Sequence, residues 1–221
     1  MNVSLEMNFA TEVARNLLQI KAIKLSPQKP FTWASGLKSP IYCDNRTLLS
    51  YPAIRDLVVA GLVETSRKFG SFDAIAGVAT AGIPHGALLA DRLKLPFVYV
   101  RAKPKEHGRQ NLIEGELRPG QKVLVVEDLI STGGSSLQAV EALRAENATI
   151  AGVLAIFTYE FPAAQEAFAQ AGCPLETLSN YSTLTEVAIE SDYVSAADQA
   201  TLRQWRENPR LWSAQWQNEK I

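Results

Sequence analysis

Three short runs that are apolar almost without a break limit what this chain can fold into: residues 74–78, 122–126 and 151–157. A strand that is apolar on successive residues must be covered on both faces. A half-solvated antiparallel strand would alternate instead. Between the runs lie segments with apolar residues three and four positions apart, the spacing of a helix with one buried face. Strands and helices alternating in this way predict an α/β fold, an open and mostly parallel sheet flanked by helices.

The flanking segments fit that plan. Phe9, Val13, Leu17 and Ile20 share one helical face. Residues 21–50 are broken by Pro27, Pro30 and Pro40 and read as short strands and turns, a small lobe of their own. Pro52 opens a helix that presents Ile54, Leu57, Val58, Leu62 and Thr65 on one face, and Gly70 stops it. Helices are expected at 83–92, after Ser135, and at 162–170, with a further strand at 97–100. Residues 101–119 are charged and aperiodic, a long connection of the kind that serves as a lid or binding loop. Two short helices, 183–190 and 196–207, precede a break at Asn208-Pro209. The expected division is an N-terminal helix and hood over 1–50, a core over 51–190 and a helical tail over 191–221. Trp205, Trp212 and Trp216 in the tail serve either packing or an oligomer contact.

Composition excludes several classes. Among 221 residues, 22 basic side chains against 23 acidic ones leave no bulk charge to draw a nucleic acid or an anionic membrane. Cys43 and Cys173 stand far apart, too few for a disulfide framework or a cysteine zinc site. The first residues lack a basic region followed by a long apolar run, and no stretch approaches the ~20 apolar residues of a membrane span. A cytoplasmic protein is expected.

The segment richest in chemistry is Val123-Leu-Val-Val-Glu-Asp-Leu-Ile-Ser-Thr-Gly-Gly-Ser135. An apolar strand delivers two adjacent carboxylates, Glu127 and Asp128, to the end of a parallel sheet where ligands bind. A turn and a helix N-terminus follow, with Gly133 and Gly134 allowing close backbone approach and Thr132 and Ser135 adding hydroxyl donors. Backbone N–H groups at a helix's positive end suit a phosphate, and the carboxylates suit sugar hydroxyls or magnesium beside it. A ribose 5-phosphate has both. There is no GxGxxG dinucleotide turn and no nucleotide-triphosphate loop lysine.

This segment resembles the phosphoribosyl-pyrophosphate signature of the type I phosphoribosyltransferases. The resemblance implies that Glu127 and Asp128 hold the ribose hydroxyls, and that Leu129, Ile130, Ser131, Thr132, Gly133, Gly134 and Ser135 cradle the 5′-phosphate. Arg101-Ala-Lys-Pro-Lys-Glu-His-Gly108 is similar to the catalytic loop of the orotate-using branch, and Phe31–Asp44 to its N-terminal substrate segment. By that likeness Arg101, Lys105 and His107 join Asp128 as catalytic groups, with Lys103 beside them. Thr80 and Ala81 help hold diphosphate, and Ser39, Tyr42 and Cys43 line the base. The implied reaction joins orotate to phosphoribosyl pyrophosphate with Mg2+, in a homodimer whose loop completes the neighbour's site. Magnesium is expected on substrate oxygens and not in an all-protein cage.

Departures from the branch pattern are specific. Alanines 34, 81 and 102 replace frequent lysines, Lys103 standing one position beyond the last, and Thr158-Tyr159-Glu160 lacks a frequent arginine. A purine or uracil enzyme of the same family would keep 123–135 without the 31–44 and 101–108 patterns. A non-catalytic nucleotide sensor would be expected to shed the loop cations.

Overall fold

The computed structural model describes residues 8–103 and 112–218. In chain order the helices are α1 (Phe9–Gln19), α2 (Pro52–Ser66), α3 (Gly82–Leu93), α4 (Gly134–Ala145), α5 (Pro162–Gln170), α6 (Tyr181–Glu190), α7 (Gln199–Glu207) and α8 (Pro209–Asn218). The strands are β1 (Ile23–Leu25), β2 (Phe31–Thr32), β3 (Lys38–Ser39), β4 (Ile41–Cys43), β5 (Ala74–Val78), β6 (Phe97–Val100), β7 (Ile113–Glu114), β8 (Lys122–Ile130), β9 (Thr149–Thr158) and β10 (Leu175–Asn180).

The central sheet has the order β10-β9-β8-β5-β6-β7, parallel throughout except for β7, which runs against β6 at the edge. β5, β8 and β9 are the unbroken apolar runs, and every residue of β5 is buried. Their side chains feed two cores. One face packs Ile75, Leu124, Leu154 and Ile156 with residues of α1, α2, α3 and α6. The other packs Ala76, Val125 and Val153 with residues of α4 and α5.

From β5 the chain steps outward to β6, then returns across β5 to build β8, β9 and β10 on the other side. The reversal lies between β5 and β8, and such switch points leave a crevice at the carboxyl ends of the strands. Pairing shows its floor. β8 stays in register with β5 only to Val126↔Gly77, but with β9 as far as Ile130↔Thr158. Glu127 and Asp128 therefore lie inside a longer strand than the 122–126 expected, on a stretch that has lost one neighbour.

Other departures have plain physical causes. β10 is mostly polar (Glu176, Thr177, Ser179, Asn180), so no apolar run marks this edge strand. Residues 113–114 add a short strand inside the segment expected to be irregular. α1 packs against α6 and β10, where the Ser179 hydroxyl donates to the Ala10 carbonyl, and also meets β1 of the small lobe. That lobe consists of the β1–β4 pair and the β2–β3 hairpin. Trp205 and Trp212 are buried, and Trp216 packs against the first core.

The register of β8 on β9 slips by one residue after Val123, where Ile150 is followed by Gly152 as the next partner. A Cβ on Gly152 would stand 2.3 Å from Phe69 Cε1 and 2.8 Å from the Pro174 carbonyl oxygen. Gly152→Ala is expected to cost about 1–3 kcal/mol, the usual range for overpacking, read as a lower urea midpoint. An unchanged midpoint would show that Phe69 moves aside freely.

Candidate active site

The acidic pair sits at the crevice floor, with Glu127 only 5% exposed and Asp128 half-buried. Glu127 is held by its own chain: one carboxylate oxygen accepts the Asp128 N–H at 3.1 Å, the other the hydroxyls of Ser135 at 3.2 Å and Ser136 at 3.1 Å. These hydroxyls come from the first turn of α4, so the pair and the following helix are tied together. Asn45 reaches across from the small lobe, its amide donating to the Asp128 carbonyl at 2.8 Å. Nothing in the pattern marks Asn45, because the contact joins residues 83 apart in sequence.

Two carboxylates side by side in a poorly solvated place resist ionisation. Burial, then the adjoining Asp128 charge, pushes the Glu127 carboxyl up to about 8. Burial also raises Asp128, while the Arg46 cation opposes that rise. Asp128, the less enclosed of the two, is the member of the pair that solvent or a ligand can reach.

The turn after β8 is tighter than the expected cradle. Leu129 and Ile130 are strand residues, paired with Phe157 and Thr158, and the Ile130 side chain is fully buried. What projects past the strand is Ser131, Thr132 and Gly133. Gly133 has φ +82°, and a Cβ there would meet Phe168 at 2.6 Å, so glycine is required. Gly134 opens α4, and nothing lies within 4 Å of the place its Cβ would take. Thr132 is exposed; Ser135, counted among phosphate donors, is exposed but engaged with Glu127.

Thr80 and Ala81 form the β5–α3 turn directly beside this floor. A Cβ on Gly82 would fall 2.4 Å from the Val126 carbonyl oxygen and 3.2 Å from Glu127 Cα. The N-terminus of α3 therefore rests on the backbone of β8 itself. Arg101, at the end of β6, pairs with Glu114 at 3.1 Å and donates to the Lys103 carbonyl at 3.3 Å. Arg101, Ala102, Ser135 and Gln138 line a cavity of about 690 Å3 between the ends of β5 and β6 and the first turns of α4. Lys103 is exposed, and Lys105 and His107 lie outside the described residues.

The three base-site residues have different surroundings. Ser39 is fully buried, its hydroxyl donating to the Ile41 carbonyl at 2.9 Å and accepting the Ile41 N–H, so it shapes the turn into β4. Tyr42 is exposed, its ring 5.9 Å from that of Phe31. Cys43 is half-buried with its thiol toward Asn45, and burial, followed by the charges of Asp128 and Asp44, pushes the thiol up. Among the described residues no three His, Cys, Asp or Glu side chains cluster so as to hold a metal ion.

Comparison with known proteins places the fold and the sequence in a family. Residues 45–179 match the family model described as phosphoribosyl transferase domain. An orotate phosphoribosyltransferase of Bacteroides thetaiotaomicron is 59% identical over 205 residues, 91% of this chain and 95% of that one. The crystal structure of orotate phosphoribosyltransferase from Aeropyrum pernix superposes with a TM-score of 0.71 at 29% identity, covering 83% of this chain and 99% of that one. A UMP synthase structure from Leishmania donovani gives 0.76 at 27% identity, covering 89% of this chain and 42% of that longer one.

The raised Glu127 carboxyl has a consequence for stability. Between its ordinary value of 4.5 and about 8, the folded chain holds a proton that the unfolded chain has released. Stability of the ligand-free protein should therefore fall as pH rises through that window. Denaturant midpoints measured from pH 5 to pH 8 should slope downward in the parent and flatten in Glu127→Gln. Equal slopes would show that Glu127 is ionised throughout.

Proposed function

The chain belongs to the phosphoribosyltransferase family, in its orotate phosphoribosyltransferase branch, and from that premise we propose how its residues serve the reaction. The enzyme transfers the 5-phosphoribosyl group of phosphoribosyl pyrophosphate to orotate, giving orotidine 5′-monophosphate and diphosphate, a step of pyrimidine nucleotide synthesis. The observation that carries the residue assignment is the buried Glu127–Asp128 pair at the β5/β8 crevice, followed directly by the turn into α4.

In this reading Asp128, half-buried and less enclosed than Glu127, meets the ribose hydroxyls, and Glu127 orients it from below through the α4 hydroxyls. Ser131 to Gly134 offer backbone N–H groups to the 5′-phosphate at the positive end of α4. The β5–α3 turn, Thr80 and Ala81, faces diphosphate in the same manner. With Ala81 in place of a lysine, that turn relies on its backbone, and Arg101, Lys103, Lys105 and His107 supply the cations. Orotate N1 bonds to ribose C1 as the bond from C1 to the diphosphate oxygen breaks. Charge grows on the departing diphosphate, where fixed cationic donors count most. Aligning the two substrates supplies much of the remainder.

Magnesium in this scheme arrives with phosphoribosyl pyrophosphate as part of the substrate. The donor set suits that role: both Glu127 oxygens already accept hydrogen bonds from the protein, and Asp128, the less enclosed of the two, is the carboxylate better placed to face a hydrated ion. The same reading makes the working form a cytoplasmic homodimer in which the 101–108 segment of one subunit completes the site of the other.

The direct test follows the ultraviolet absorbance of orotate with phosphoribosyl pyrophosphate and magnesium, beside uracil, adenine and hypoxanthine. Loss with orotate alone is expected; turnover of another base would keep the phosphate site and overturn the reading of residues 31–44. Binding of phosphoribosyl pyrophosphate with no turnover of any base would mark a sensor. For the shared site, Asp128→Asn and Lys105→Ala proteins should each be folded and nearly inactive. Mixed dimers of the two should regain activity above either parent, since one of their two sites then has both intact groups. No recovery would exclude sharing.

A further inference from the structure

We propose that the C-terminal tail, residues 196–218, is a positioning element for the orotate wall: it holds the β2–β3 hairpin and β4 at their working distance from the phosphate turn. This rests on the reading that residues 31–44 face the base.

The wall cannot hold itself. The β2–β3 hairpin has two register pairs only, Phe31↔Ser39 and Thr32↔Lys38, and an isolated hairpin of this size is marginal in water. At its far end it continues through β4 to Asn45, whose amide grips the Asp128 carbonyl. At its near end most of its fastenings go to the tail. The Lys38 N–H donates to the Ser213 hydroxyl of α8 at 2.8 Å. Just before the hairpin, Gln28 donates through its amide to the Asp198 carboxylate, which also caps the turn ahead of α7. The Trp33 ring lies edge-on to Trp205 of α7 at 5.8 Å and stacks on Tyr159 at 5.6 Å.

Trp205 is the hub of this joint. It is fully buried, and its ring centroid lies 5.1–5.8 Å from those of Trp33, Tyr159, Phe161 and Tyr181. Aromatic rings packed at such angles fix orientation as well as burying area. The start of α8 also borders the space beside the wall and the turn. Asn208, Pro209 and Arg210 line one cavity of about 500 Å3 together with Trp33, Leu37, Ser131 and Thr132. The tail thus fastens the wall directly and faces the phosphate turn across this cavity.

A positioning role predicts a split between the two substrates. In Gln28→Ala/Ser213→Ala the KM for orotate should rise roughly tenfold, the order expected when a wall loses one hydrogen bond at each of two anchors, one of them to a carboxylate. The KM for phosphoribosyl pyrophosphate should stay within about twofold, because the β8–α4 turn keeps all its own contacts. Amide hydrogen exchange should quicken over residues 31–39 and stay unchanged over 123–130. Gly152→Ala, destabilised at a site remote from the wall, controls for stability and should leave both KM values as in the parent. Should the double variant fold poorly, Gln28→Ala alone, at an exposed position, should give the same split in smaller measure. Unchanged KM values, a parallel rise in both, or unaltered exchange over 31–39 would overturn the proposal. A parent protein that turns over another base but not orotate is a distinct result: it removes the reading of the wall, and this inference with it.

Discussion

Two neighbouring carboxylates held out of water are the constraint around which this molecule is arranged. Burying one such charge is costly, and placing a second beside it raises the cost further. The protein meets this with local donors. The Asp128 N–H and two serine hydroxyls of α4 serve Glu127, while Asn45 fixes the Asp128 carbonyl. The serines tie α4, and Asn45 ties the small lobe, to the end of β8, so all three are located by the same two residues. What the protein leaves undone, a ligand can finish.

Much of this was open to reading in the chain itself, for definable reasons. β5, β8 and β9 lie between two helical layers and so carry unbroken apolar runs where both faces are covered, which makes them conspicuous. The motif from Val123 to Ser135 is contiguous, so strand, acidic pair, turn and helix start are visible together. Periodicity says less about where a strand stops. β8 continues through Leu129 and Ile130 because β9 still pairs with it there, a fact belonging to the partner strand. β10 escapes notice because an edge strand with one protected face carries Glu176 and Asn180 without penalty.

Contacts between distant segments are hidden for a different reason. Asn45 to Asp128, Gln28 to Asp198 and Lys38 to Ser213 are single hydrogen bonds, each between residues that leave no local pattern. The tryptophans of the tail are visible as residues that must be buried, but their neighbours Trp33 and Tyr159 emerge only in three dimensions. The lobe over 21–50 is similarly legible as a separate piece of chain, while the α1 that precedes it packs with α6 and β10. Where the backbone itself makes the contact, as at Gly82 on the Val126 carbonyl, a glycine is the sole trace in the sequence.

The fastening of residue 38 to residue 213 also sets an order in time. Synthesis runs from the N-terminus, and a domain's earlier parts are available to fold first. The sheet strands from β5 to β10 can all be paired before the tail has been made, since none draws a partner strand from beyond Asn180. The hairpin must wait for α8, synthesised some 175 residues later, before its Lys38 N–H can find the Ser213 hydroxyl. A newborn chain can thus pair the strands that carry the acidic pair before the hairpin gains its bond to α8.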